Sequence, residues 1–176
     1  MGLKLNIGSG QRRFDTTYGW TNVDCVSREP DQVPDVVADA RELPFEDGAA
    51  EICVLHHVIE HFGCGEADGV VCECFRVLAK DGRLLVFVPD LEELARRWLG
   101  GQIDDYIYRV NLYGAYQGEE GDRHKWGYDK GSLPTYLDDA VRPGEQWSRV
   151  MGFDWRRIDG ADIAQDWWIA GVECVK

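Results

Sequence analysis

The stretch that most constrains this chain is Leu3-Lys4-Leu5-Asn6-Ile7-Gly8-Ser9-Gly10, followed by Asn22-Val23-Asp24. Leu3–Ile7 predicts a short buried strand that runs into a glycine turn. Glycines at positions 8 and 10 allow backbone conformations that a side chain forbids, and they let a ligand lie against the main chain. Asn22–Asp24 predicts a second strand ending in a carboxylate. In doubly wound α/β folds the ends of neighbouring strands form the ligand crevice, and an acid there suits a ribose diol. The pair points to a nucleoside-containing ligand. The G-x-G spacing alone is a weak signal. Gln11–Trp20, between the two strands, has no helical apolar stripe and is too short for a full crossover helix. A dinucleotide-binding start places a helix N-terminus against the pyrophosphate, and Arg12 stands where a third glycine would be. NAD and FAD are therefore disfavoured.

Beyond Asp24 the chain alternates. Val36–Ala40, Glu51–Leu55 and Arg83–Val88 predict strands, the last two covered on both faces. From Glu66, the residues Ala67, Val70, Val71, Cys74, Val77 and Leu78 recur at helical spacing, with Gly82 as the expected C-cap. Asp90 with Glu93 is a capping-box-like start for a helix whose apolar face is Leu91, Leu94, Ala95 and Trp98. Ser132–Ala140 reads as a further helix, and Phe153–Ile158 with Trp167–Val175 as a closing pair of strands. The alternation predicts an α/β fold with a mostly parallel sheet. Gly100–Lys130 breaks the pattern and reads as an irregular, tyrosine-rich insert, a lid or substrate loop. The 176 residues predict one domain over 1–176, with the 100–130 insert inside it.

Charge narrows the partners. The chain carries 32 acids against 19 bases, a formal net charge of −13, and no basic patch. It repels phosphates and anionic membranes, so neither nucleic acid nor a membrane is expected as a partner. The longest apolar run, Leu84–Val88, is far too short to span a bilayer, and the N-terminus shows no secretory signal segment. The 6 cysteines form no C-x-x-C pair and read as free thiols of a cytoplasmic protein. Cys72 and Cys74 cannot share a helix face. The oligomeric state is not legible.

Leu5–Gly10, Asn22–Asp24, Ala38-Asp39-Ala40-Arg41-Glu42-Leu43-Pro44-Phe45 and Arg76–Leu84 together resemble the successive motifs of class I S-adenosylmethionine-dependent methyltransferases, of the small bacterial type without an N-terminal extension. Each motif alone is weak; four in order and spacing are fairly specific. The resemblance implies a Rossmann-like, mostly parallel seven-stranded sheet with an antiparallel C-terminal strand. It implies S-adenosylmethionine as cofactor, with Gly8 and Gly10 under its amino-acid part, Asp24 on the ribose, and Asp39 and the Ala40 backbone at the adenine. Asn6 at the strand end and Ser9 in the turn are assigned to the cofactor with the glycines, as is His56, which adjoins the methionine end after Leu55. Two departures stand out: Asn6 replaces a usual acid, and Arg12 a frequent glycine.

His56 and His57 read as cofactor contacts, acid/base groups or plain hydrogen-bonding residues. We assign His57 and His124 as catalytic candidates. Glu60, His61, Lys125 and Trp126 are assigned to the acceptor, a small molecule or, by resemblance, a saccharide. No metal ligand is assigned. Two rival readings remain. His57-Val58-Ile59-Glu60-His61 matches the H-x-x-E-H of inverted zinc peptidases, which makes a zinc hydrolase one alternative. A non-catalytic cofactor-binding module is the other. The sulfonium is already an activated methyl donor, so alignment and water exclusion carry most of the catalytic burden, and no triad need be visible.

Overall fold

The computed structural model describes residues 2–27, 33–115, 120–153 and 168–176. The chain forms β1 (Leu3–Ile7), a 3-10 turn at Thr16–Tyr18, β2 (Trp20–Asp24), β3 (Val36–Val37) and β4 (Ala50–His56). It continues with α1 (Asp68–Val77), β5 (Leu78–Pro89), α2 (Leu91–Leu99), α3 (Asp105–Tyr113), α4 (Ser132–Asp139), β6 (Arg149–Gly152) and β7 (Ile169–Val175). The strands make one 7-stranded sheet in the order β3-β2-β1-β4-β5-β7-β6. Neighbours are parallel from β3 to β5, and β7 is antiparallel to both β5 and β6. The sheet expected from the resemblance is therefore the one formed. No helix among the described residues is long and apolar enough to cross a membrane.

Alternation along the central strands sorts side chains to two faces. Cys53 and Leu55 of β4, with Leu84, Val86 and Val88 of β5, pack into the larger cluster with Val70, Val71 and Cys74 of α1 and Leu133 and Leu137 of α4. Val54, Leu85 and Phe87 point the other way, toward Phe14, Trp20 and Ile169. That second face receives no crossover helix between β1 and β2. Phe14 and Trp20 cover it instead, their rings edge-to-face at 4.8 Å.

A buried polar bracket holds the connection that replaces the helix. Asn22, in the middle of β2, accepts from the Phe14 N–H at 2.7 Å and donates to the Phe14 carbonyl at 3.0 Å. Asn6 donates to Asn22 Oδ1 and to the Arg12 carbonyl, both at 2.8 Å. Asp35 accepts from the Asn22 backbone and side chain, each at 2.8 Å.

Four expectations change. The third strand is only Val36–Val37. The first helix ends at Val77 and Leu78 enters β5 directly, so Gly82 caps nothing; the left-handed residue is Asp81, φ 65. Glycine is needed at 82 because a Cβ there would lie 2.8 Å from the Ala79 carbonyl and 3.2 Å from that of Ala50. The insert is not irregular throughout: α3 lies within it, capped where Asp104 accepts from the Ile107 N–H at 2.8 Å. Among the described residues the strand paired with β7 is Arg149–Gly152, just ahead of the expected Phe153–Ile158. Lying at the sheet edge and largely exposed, it carries no apolar alternation to read. Phe153 follows it, and residues 154–158 and Trp167 lie outside the described residues.

The bracket sets the first prediction. Asn22→Ala removes the side-chain partners of the Phe14 N–H and carbonyl and one of the two acceptors of the Asn6 amide. It should destabilise the fold by about 2–4 kcal/mol in urea unfolding; a loss below about 0.5 kcal/mol would contradict the bracket's role.

Candidate functional site

The order of the sheet creates a switch point. From β1 the chain builds outward through β2 to β3, then returns to lay β4 on the other side of β1. The carboxyl ends of the strands open there into a crevice. A cavity of about 470 Å³ occupies it, lined by Gly8, Gly10, Asp24, Asp39, Ala40, His57, His61 and Lys125 among others. The turn after β1 is closed at one glycine and open at the other. Gly8 has φ 67, and a Cβ on it would meet Val58 Cγ2 at 2.6 Å; Gly10 has φ 46, with nothing within 4 Å of a Cβ. Asp24 Oδ2 accepts from the Gly10 N–H at 2.8 Å and Oδ1 from the Val26 N–H at 3.0 Å. A carboxylate offers about four acceptor sites, so Asp24 shapes the turn and keeps acceptor capacity for a ligand. Asp39 holds the backbone N–H and guanidinium of Arg41 at 2.7–3.0 Å. Those bonds keep its carboxyl below the usual range despite partial burial.

The end of β4 supplies the other wall. His57 takes the left-handed conformation, φ 56, with its N–H on the Phe87 carbonyl at 2.9 Å. This turn carries the chain out of the strand, and the His57 side chain lines the cavity. Its Nδ1 lies 2.9 Å from Glu60 Oε1. A carboxylate only accepts, so Nδ1 carries the proton and Nε2 is the basic nitrogen. Burial works to raise the Glu60 carboxyl, but the hydrogen bond from His57 and the neighbouring histidines hold it below its ordinary value.

The insert reaches this wall. Gly121, Asp122 and Lys125 line the cavity. The N–H groups of Lys125 and Trp126 both donate to the Glu60 carbonyl, at 2.7 and 3.2 Å. His124 packs edge-on to His61 at 4.8 Å. Potential metal-ligating atoms of Glu60, His61 and His124 lie within 4.8 Å of one another. His57 is not in that group. The zinc-hydrolase arrangement needs His57 and His61 as joint ligands on one helix; here Ile59–His61 is a single 3-10 turn and His57 faces Glu60 instead.

Residues 16–86 match a family described as a methyltransferase domain. A solved structure of similar fold is 1,6-didemethyltoxoflavin-N1-methyltransferase from Burkholderia thailandensis, with 1,6-didemethyltoxoflavin and S-adenosylhomocysteine bound. It is 16% identical over 99% of this chain and 71% of that one, TM-score 0.59. An S-adenosylmethionine-dependent methyltransferase from Methanosarcina mazei is 16% identical over 99% of this chain and 92% of that one, TM-score 0.58. Human N-acetylserotonin methyltransferase, solved with S-adenosylmethionine, is 11% identical over 99% of this chain and 47% of that one, TM-score 0.56. The fold is that of the class I methyltransferases. No curated protein matches the chain.

Within this fold the assigned residues divide. Gly8, Gly10, Asp24, Asp39, Ala40, His57, His61 and Lys125 meet at the cavity. Glu60 and His124 stand outside the lining, in contact with residues that form it. Asn6 lies beneath the turn with its amide nitrogen engaged by Arg12 and Asn22. Ser9 and His56 are buried outside the lining, and Trp126 is exposed. Sequence reading missed Arg41, whose guanidinium sits 5.5 Å over the Phe62 ring; both line the cavity. The available signal was Arg41 two positions after Asp39, the spacing at which an aspartate caps its own turn.

Among the described residues, Ser9 Oγ, His56 Nε2 and Glu60 Oε2 are buried without a hydrogen-bond partner. Native interiors contain few such atoms, and each calls for a cause. They cluster at the carboxyl ends of β1 and β4: Ser9 in the turn after β1, His56 as the last residue of β4 and Glu60 in the 3-10 turn beyond it. Desolvation, aided by the His57 and Arg12 charges, pushes the His56 imidazole down to about 2. An unfolded histidine titrates near pH ~6.5. Below that pH the unfolded chain binds a proton the folded chain refuses, so stability falls with pH. From pH 6.5 to 5 the loss from His56 alone is about 2 kcal/mol. His56→Gln should flatten the stability slope over that window in denaturant titrations; equal slopes in both proteins would contradict a neutral buried His56.

Proposed function

We propose that this methyltransferase domain transfers a methyl group from S-adenosylmethionine to an oxygen or nitrogen of a small-molecule or saccharide acceptor. One observation carries the reading: a strand-end carboxylate, Asp24, meets an open glycine turn at the switch point of a class I methyltransferase fold. The residues suit the cofactor. Gly10 leaves room for close approach, Asp24 retains lone pairs for ribose hydroxyls, and Asp39 with the Ala40 backbone borders the adenine side. Ser9 Oγ and His56 Nε2 are buried polar atoms awaiting a partner beside the turn. S-adenosylmethionine, when bound, supplies a methyl group on an already activated sulfonium.

The chain's own task is to hold and align the acceptor and to keep water away. For an acceptor that loses a proton, His57 Nε2 is the base. Glu60, fully buried, fixes the tautomer through Nδ1 and stabilises the imidazolium that results. Lys125 and His61 line the acceptor side. His124 and Trp126, fastened to the Glu60 turn through the insert, position that side. Asn6 acts through the glycine turn it supports. A cytoplasmic setting with neither membrane nor nucleic acid as partner fits the acidic surface.

Calorimetry with S-adenosylhomocysteine tests the reading. Asp24→Ala should weaken binding by about 1–3 kcal/mol, roughly 5- to 150-fold, the cost of hydroxyls left without a charged acceptor. Affinity equal to that of the unmodified protein would contradict it.

A further inference from the structure

We infer that Glu60, His61 and His124 form a binding site for a divalent transition-metal ion, zinc by its donor set, on the acceptor wall of the cavity. Four observations converge on it. The first is proximity: one potential ligand atom from each residue lies within 4.8 Å of the other two. Donors bound to one zinc at about 2.0–2.2 Å stand roughly 3.3–3.6 Å apart, so side-chain rotations of around an ångström close the site.

The second is an unanswered charge. The Glu60 side chain is 1% exposed. Its Oε1 takes the His57 proton, and its Oε2 is buried with no partner. A buried carboxylate oxygen without a partner is costly, and a cation between Oε2 and the two imidazoles removes that cost.

The third is tautomer control. His61 Nδ1 lies 3.2 Å from the Arg123 carbonyl and His124 Nδ1 2.9 Å from that of Asn111. Carbonyls accept only, so each Nδ1 carries the proton and each Nε2 keeps its lone pair. Metal-binding histidines are oriented in this way, through the ring nitrogen that does not bind the ion.

The fourth is rigidity. Lys125 and Trp126 are bonded through their N–H groups to the Glu60 carbonyl, and the His124 N–H donates to the Tyr113 carbonyl at 3.1 Å. The insert is thus fastened to the turn that carries the other two ligands.

Two imidazoles and one carboxylate suit zinc and its neighbours and disfavour magnesium or calcium, which prefer oxygen alone. Three protein ligands leave a coordination position open, the pattern of a reactive zinc site. His61 lines the cavity beside His57 and Lys125, so the open position lies within reach of an acceptor oxygen or nitrogen. That last role rests on the methyl-transfer reading; the metal site does not.

Titration of the metal-stripped full chain with zinc in a competing metal buffer tests the site. The expected result is one zinc per chain with a Kd on the order of 1 μM or tighter. Glu60→Gln and His124→Ala should each weaken it by about 10- to 100-fold or more, with circular dichroism confirming that each variant folds. Replacing the exposed thiols, Cys25→Ser with Cys64→Ser, should leave the affinity unchanged. Absence of zinc binding, ligand variants that bind as the unmodified protein does, or loss on removing the thiols would each overturn the site. A parallel titration with S-adenosylhomocysteine separates the two proposals. Binding of the nucleoside without zinc overturns only the metal site; zinc without the nucleoside overturns only the methyl-transfer reading.

Discussion

The bracket that Asn22 makes around Phe14 is the interaction on which the ligand crevice depends. A doubly wound sheet ordinarily covers the face beside β1 and β2 with a crossover helix, and the helix also steers the turn after β1. Here the connection is too short for one. Its polar backbone must be satisfied where it passes under the sheet end, and Asn22 does this by meeting both polar groups of one residue. Asn6 extends the bracket to Arg12, and Asp35 anchors it from the next loop. Phe14 and Trp20 then seal the face that a helix would have covered. With the connection tied down in this way, the glycine turn stands open at the switch point. The same network explains why an amide, not an acid, stands at position 6: its nitrogen is needed as a donor to two protein oxygens.

Charge is arranged against the protein's overall sign. The chain is strongly acidic, yet one wall of the cavity gathers His57, His61, His124 and Lys125 around one buried carboxylate, Glu60. Glu60 organises this wall through its two ends. Its backbone carbonyl receives the insert, and its side chain holds the His57 tautomer. His57 and the histidine pair His61 and His124 therefore share one support, and any change at Glu60 reaches both.

Much of the fold was legible because it rests on period and punctuation. Central strands such as Leu84–Val88 are apolar on both faces, and Asp24 and Asp39 end or follow strands that the hydrophobic pattern delimits. The less legible parts depend on contacts distant in sequence. Nothing local distinguishes Gly82 as a helix cap from Gly82 as a close-packed strand residue; the Ala50 carbonyl decides it. β6 lies at the sheet edge with exposed side chains, so its pairing with β7 leaves no alternation. The H-x-x-E-H spacing suggested His57 and His61 as partners, but the left-handed backbone at His57 and the short 3-10 turn separate them. His124, far along the chain, takes the place beside His61. Asp24, Asp39 and Ala40 were legible as a set because Asp24 ends β2 and Asp39 and Ala40 follow β3; Arg41 and Phe62 were not, because their stacking exists only in three dimensions.

The most direct test is a crystal structure of the protein with S-adenosylhomocysteine. The account predicts density in the crevice after β1 and β2, with ribose hydroxyls within hydrogen-bond distance of Asp24 and the sulfur on the side where His57 and the insert line the wall. A nucleoside bound away from Asp24, or a crevice that stays empty at saturating ligand, would contradict it.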